Sequence, residues 1–287
     1  MADPCENALP EPKEIATITS VSDVIENVSK LSLYSDSFYA YRGHASTDWT
    51  LASSLFRNSK SLMRSEYMIV RELVSRYPDS FLNDRTMFDR LVRMQHFDLA
   101  TRLLDVTSNP LIALYFALLG HDEKPGSIII FQIPHDRRKF FDSDSISCIC
   151  NLANLQASEK EDIIKTPARS IGEFHDLNAV DRLLQFIREE KPYFQPRIRR
   201  EDLFKPHYVV PKLSNPRIIA QSGAFLAFGL DWRQGPSFKK GIYSFSFRVP
   251  ADAKVKLRRE LKMIGIDSKF VFPEIDKASK QIMADYT

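Results

Sequence analysis

Hydrophobic and polar positions fall into two rhythms along this chain, and together they predict a series of helices and strands. Val21, Val24, Ile25, Val28 and Leu31 recur at helical spacing, and Ser20 with Asp23 is placed to cap that helix. Phe38 to Gly43, FYAYRG, reads as a short strand ending in an arginine and a glycine. Leu51 to Phe56 is a second apolar patch, closed by Arg57. From Leu62 to Tyr77 the period predicts one helix, with Ile69, Val70, Leu73, Val74 and Tyr77 following Glu66 and Pro78 stopping it. Met87 to Met94 predicts another, with Phe88, Leu91 and Val92 inward.

The stretch from Met94 to Ala117 organises the rest of the chain. Leu111, Ile112, Leu114, Tyr115 and Leu118 are apolar nearly all round, the pattern of a buried helix. Pro110 suits its first turn and Asn109 or Ser108 its N-cap. Before it, Gln95, His96, Thr101, Arg102, Asp105 and Thr107 crowd a segment that reads as a short connection. Unpaired N–H groups at a helix start favour an anion, so this is a candidate anion site. A structural account competes, in which Asp105 pairs with Arg102 and Thr107 or Ser108 caps the helix.

Ser127 to Ile133, SIIIFQI, predicts a fully buried strand. Residues 134–205 open with Arg137, Arg138 and Lys139 and become helical, with Phe174, Leu177, Val180, Leu183, Leu184 and Ile187 in phase. We read them as a helical insertion, because strands resume afterwards. Those strands are Tyr208–Val210, Ile218–Phe228 with Gly223 in its middle, and the alternating Ile242–Val249. Asp252 is placed to cap a basic helix ending before Gly265, and a last helix is expected from Pro273. The expected organisation is a flexible tail over 1–15, a main domain over 16–133 and 206–287, and the insertion over 134–205. The fold class is α+β: a split, mixed β-sheet with packed helices.

Composition narrows the chemistry only a little. A net charge of +3 over 287 residues does not itself imply a nucleic-acid partner. Cys5, Cys148 and Cys150 suit neither a disulfide framework nor a zinc site. With no signal-like or membrane-spanning run, a soluble, cytoplasmic protein is expected. No GxGxxG, P-loop, GxSxG, HExxH or EF-hand pattern is present.

Four places carry candidate chemistry. Arg42 beside Gly43 can fork onto a phosphate or carboxylate where the backbone comes close, or form a surface ion pair. His96 is either a satisfied core histidine or a base oriented from Asp105. Gln221, in an otherwise apolar strand, either joins a polar network or faces a ligand. YFQPRIRR, Tyr193 to Arg200, interleaves aromatics with Arg197, Arg199 and Arg200 as a single-strand nucleic-acid surface would, or is a solvated loop.

Tyr41–Gly43 with Trp49 and Leu51, then MQHFDLATRLLDVTSNPLIALYFA, then RIIAQSGAFLAF and the closing FPEID, resemble the FRG domain family, with Tyr41 where the family motif has phenylalanine. The resemblance covers roughly residues 38–276 and is weakest over 134–205. Its order of elements is similar to the ADP-ribosyltransferase fold. That implies NAD as substrate and no metal, with a macromolecular acceptor of ADP-ribose. It also implies a toxin or phage-defence setting, with room for an antitoxin. Under this resemblance Arg42, Gly43, Gln95, Thr101, Arg102 and Thr107 hold NAD, and Asp105, Gln221 and His96 are the catalytic candidates. The chain departs from that fold's pattern in one respect: Gln221 stands where a late-strand glutamate is expected. A nucleotide- or nucleic-acid-binding module without chemistry is the alternative.

Overall fold

The computed structural model describes residues 12–31, 36–57, 59–167, 170–230 and 241–273. In chain order it begins with β1 (Lys13–Thr17) and α1 (Val21–Leu31). β1 is an exposed edge strand, so the tail expected over 1–15 gives way to strand at Lys13, while 1–11 lie outside the described residues. α1 starts as its sequence dictates: Ser20 Oγ accepts from Asp23 N at 3.1 Å, and Asp23 Oδ2 accepts from Ser20 N at 2.9 Å. Val24 is buried, but Ile25 points outward.

β2 (Ser37–His44) comes next, then α2 (Ser54–Arg57), α3 (Lys60–Arg64) and α4 (Glu66–Arg76). The single helix expected over 62–77 is broken at Ser65, whose N–H closes α3 on Ser61 and Leu62. The break lets α4 set off separately with Glu66 turned into the core, where Arg102 holds it. α5 (Met87–His96) begins with a capping box of Thr86 and Asp89 and runs on through Gln95 and His96.

The segment that reads in sequence as a connection is β3 (Leu103–Thr107), and it lies in the middle of the sheet. α6 (Pro110–Ala117) starts at Asn109, whose Oδ1 accepts from Leu111 N at 2.9 Å. β4 (Gly126–Pro134) is the buried strand the apolar run predicts. The segment after it holds β5 (Arg138–Phe140), then α7 (Asp144–Asn151), α8 (Ala157–Lys165), α9 (Ile171–His175) and α10 (Asn178–Glu190). Cys148 and Cys150 are free thiols buried in α7, and burial pushes that of Cys148 up to about 12.

β6 (His207–Val210) precedes α11 (Pro216–Ala220) and β7 (Gly223–Ala227). The strand expected over 218–228 is therefore half helix. Asn215 caps α11 through a 2.8 Å bond from Arg217 N, and Ser222, at φ 46°, turns the chain into β7. Gly223 opens that strand instead of interrupting it. β8 (Tyr243–Val249) leads through a short turn to α12 (Lys254–Met263) and α13 (Ser268–Val271). Asp252 sits in that turn and makes no side-chain cap. Gly265, at φ 82°, ends the basic helix as expected. The helix expected from Pro273 falls on 274–287, outside the described residues.

The strands form one mixed sheet in the order β1-β8-β4-β2-β3-β7-β6-β5. One face carries a continuous core that includes Ala40, Leu104, Val106, Phe131 and Leu226. The other face is covered in two separate blocks. Ala113, Leu114 and Leu257 of α6 and α12 pack on Ile128, Ile130 and Phe247. Phe88, Leu91 and Ile149 of α5 and α7 pack on Leu103, Val209 and Phe225. The boundary between the blocks runs along the junction of β2 and β3.

An arginine-lined cleft where the sheet parts

That junction is the weakest seam in the sheet. β2 pairs with β4 over eight residues, and β3 pairs with β7 over five. β2 and β3 are joined by one pair, Tyr41 with Thr107. Beyond it the strands diverge, and Arg42 fills the opening. Its Nη1 donates to the Asp105 carbonyl at 2.7 Å, so a side chain stands where the next rung of the ladder would be. Its Nε donates to His44 Nε2 at 3.1 Å, and Nη1 lies 3.9 Å from Asp105 Oδ2. No described residue accepts from Nη2.

The cleft opens beside this contact. Its larger lobe, about 290 Å³, is lined by Arg42, Arg57, Gln95, His96, Asp105, Arg217 and Gln221 among others. A smaller lobe of about 200 Å³ shares Arg42, Asp105, Arg217 and Gln221 and adds Tyr41, Trp49 and Phe116. The three segments around positions 42, 105 and 221 thus meet at one cavity.

Most of these side chains are held. Gln95 Nε2 donates to Asp105 Oδ2 at 2.7 Å, and Thr101 Oγ1 donates to Gln95 Oε1, which fixes the amide. Gln221 Nε2 donates to the Val271 carbonyl at 3.1 Å. His44 is buried, and burial, then the charges of Arg42 and Arg57, drive its pKa down to about 3. It is therefore a neutral acceptor that aims the Arg42 guanidinium. Burial lowers the Arg42 pKa and Asp105 opposes that shift, so a desolvated cation faces the opening.

Of the other sequence candidates, Gly43 and Thr107 line the smaller lobe, while Arg102 sits elsewhere. Arg102 is fully buried: Nε donates to Glu66 Oε1 at 2.9 Å, Nη2 to Oε2 at 2.5 Å, and Nη1 to the Phe228 and Gly229 carbonyls. Lys160 Nζ joins the same Glu66 oxygen at 2.6 Å. With four N–H contacts satisfied, Arg102 is a core ion pair and is absent from the cleft; its partner is Glu66 and not Asp105. Thr107 is buried and spends its hydroxyl on the Gln221 carbonyl at 2.7 Å, tying the end of β3 to the turn before β7.

Gly43 lacks a side chain because α6 needs the space. A Cβ there would lie 2.0 Å from the Ala113 carbonyl oxygen. The start of α6 lies outside the cleft, since none of residues 108–112 lines either lobe. In YFQPRIRR, Arg197 and Arg199 are exposed, but Arg200 turns inward. It donates to the Ile164 carbonyl at 2.8 Å and covers the Phe204 ring at 4.6 Å. Asp144 and Asp202 share the surface hollow with Arg197 and Arg199, which dilutes its positive charge.

Two cleft residues were not among the candidates named from sequence. Arg57 ends a four-residue helix, and Arg217 lies in an apolar run. A weak signal existed for Arg217: SNPRI at Ser214 repeats the SNPLI that caps α6, so it too begins a capped helix. Among the described residues no group of three His, Cys, Asp or Glu side chains is placed to hold a metal ion.

The fold and cleft define an α+β protein built on one mixed sheet, with an arginine-lined opening at a strand seam. Residues 37–125 match the FRG domain family model, and the chain carries an FRG domain. The match runs from β2 to the turn before β4, so it includes Arg42, Gln95, His96 and Asp105 and stops short of Arg217 and Gln221. No curated protein and no solved structure gave a match. No helix among the described residues is long and apolar enough to cross a membrane.

Proposed function

We propose that the cleft binds the pyrophosphate of NAD and that the domain is ADP-ribosyltransferase-like, transferring ADP-ribose to a macromolecular acceptor or to water. One observation carries this reading. Arg42 is a desolvated guanidinium, fixed by His44 and the Asp105 carbonyl, with Nη2 left for a ligand at an opening that Arg57 and Arg217 also line. A half-buried arginine with a spare donor suits phosphate oxygens. Asp105 supplies the only carboxylate shared by both lobes among the described residues, where a cationic sugar would develop as nicotinamide leaves. The toxin or phage-defence setting belongs to the same proposal.

A specific observation favours the second reading, binding without turnover. Gln221 ends α11 and donates to a backbone carbonyl, and no glutamate lines either lobe among the described residues. Incubating the protein with NAD and following free nicotinamide by proton NMR separates the two. Release that is lost in Asp105→Asn supports the transferase reading. Calorimetric binding with no release supports the binding module, and absence of both overturns the NAD assignment.

A further inference from the structure

The two lobes differ in chemistry. Arg42 and Arg217 line both; the larger adds Arg57, Gln95 and His96, and the smaller adds the rings of Tyr41, Trp49 and Phe116. Trp49 is 42% exposed yet fixed edge-on between two imidazoles, with ring centroids 5.7 Å from His44 and 5.5 Å from His121. Phe116 is held at 6.0 Å from Phe272 and 5.8 Å from Tyr115. Exposed aromatics that are already immobilised lose little entropy when a flat ligand covers them.

A second feature is independent of the rings. Tyr41 is 4% exposed, and its hydroxyl makes no hydrogen bond with any described residue. Burial and neighbouring Tyr39 push its pKa to about 12. A hydroxyl with no partner among the described residues is available to a ligand in the lobe that Tyr41 lines. Gln221 Oε1 likewise accepts from no described residue, while its Nε2 is anchored on Val271.

We propose that the smaller lobe is a subsite for a flat heteroaromatic ring bearing an amide or amino donor, with Trp49 and Phe116 as its walls and Tyr41 and Gln221 reading its edge. This rests on the cleft being a nucleotide site, and it fixes the ligand's direction: ring toward Trp49, phosphates toward Arg57. Nicotinamide and adenine both meet the description, so the experiment separates them.

Nicotinamide mononucleotide, AMP and inorganic pyrophosphate are titrated calorimetrically into the full chain and into Tyr41→Phe, Trp49→Phe and Trp49→Leu. One mononucleotide should bind more tightly than pyrophosphate, and its identity names the ring. Trp49→Leu should weaken that mononucleotide on the order of tenfold, as loss of one stacking face does, with Trp49→Phe recovering most of it. Tyr41→Phe should leave the melting temperature unchanged or higher and weaken the same ligand several-fold, with pyrophosphate unaffected throughout.

If pyrophosphate binds through Arg42 but neither mononucleotide gains over it, the ring subsite is wrong and the phosphate reading stands. If Trp49→Leu weakens pyrophosphate equally, the residue is structural and the subsite is again wrong. If none of the three ligands binds the unmodified chain, both readings fall together.

Discussion

Glu66→Gln is the substitution that best separates a structural arginine from a ligand-binding one. The Glu66 carboxylate is 3% exposed and faces Arg102 and Lys160, which approach it at 2.5 and 2.6 Å. Neutralising it leaves two buried cations facing one another. Lys160 can shed its proton, and burial already lowers its pKa, but Arg102 cannot. Breaking a buried pair from one side costs about 3–5 kcal/mol, about a fifth or more of the stability of a typical domain. Urea titration followed by circular dichroism should show that loss without a change in slope. Replacing Glu66, Arg102 and Lys160 together with methionine should recover most of it, because no charge is then left unpaired. A Glu66→Gln loss below about 1 kcal/mol would mean that this pair behaves like a solvated one and does not anchor α4. An Arg102→Met protein of normal stability that no longer binds nucleotide would be equally damaging, since it would return Arg102 to the site.

Gly43→Ala should destabilise by at least about 3 kcal/mol in thermal melts, because the new methyl meets two backbone atoms of α6, Ala113 O at 2.0 Å and Ala117 N at 2.5 Å. His44 and His207 are both buried with pKa values near 3. Their folded pKa lies below the unfolded value of 6.5, so the unfolded chain takes up protons first and stability falls as pH drops from about 6.5 toward 3, by several kcal/mol per histidine at most. Urea midpoints measured from pH 7.5 to 4 should show it, and His44→Phe should flatten the curve. Phe272→Ala removes the ring under Arg217, 5.2 Å from its guanidinium, and should weaken NAD binding several-fold in calorimetry with little loss of stability.

Local rules made several elements legible. The capping of α1 by Ser20 and Asp23, the Asn109-Pro110 start of α6 and the apolar run of β4 are decided within a few residues. The errors lie where distant partners decide. Asp105 made LLDVT look like a connection, yet a central strand can carry a carboxylate where the neighbouring strand diverges. IIAQSGAFLAF is largely apolar, so its helix-to-strand change rests on Ser222 adopting a left-handed backbone. Arg102 looked functional because its polarity was visible and Glu66, 36 positions away, was not linked to it. In the cleft, Arg42, Gly43, Gln95, His96, Asp105, Thr107 and Gln221 could be named from sequence and do come together. Arg57 and Arg217 reach it only through the fold.

Calorimetric titration of NAD into the unmodified chain, Arg42→Gln and the double variant Arg197→Gln/Arg199→Gln is the sharpest test of the cleft. A strand-seam site predicts that Arg42→Gln loses at least about tenfold in affinity, as the loss of charged hydrogen bonds to phosphate requires. The double variant should bind like the unmodified chain. Binding that survives Arg42→Gln, or that vanishes in the double variant, would place the ligand away from the seam between β2 and β3.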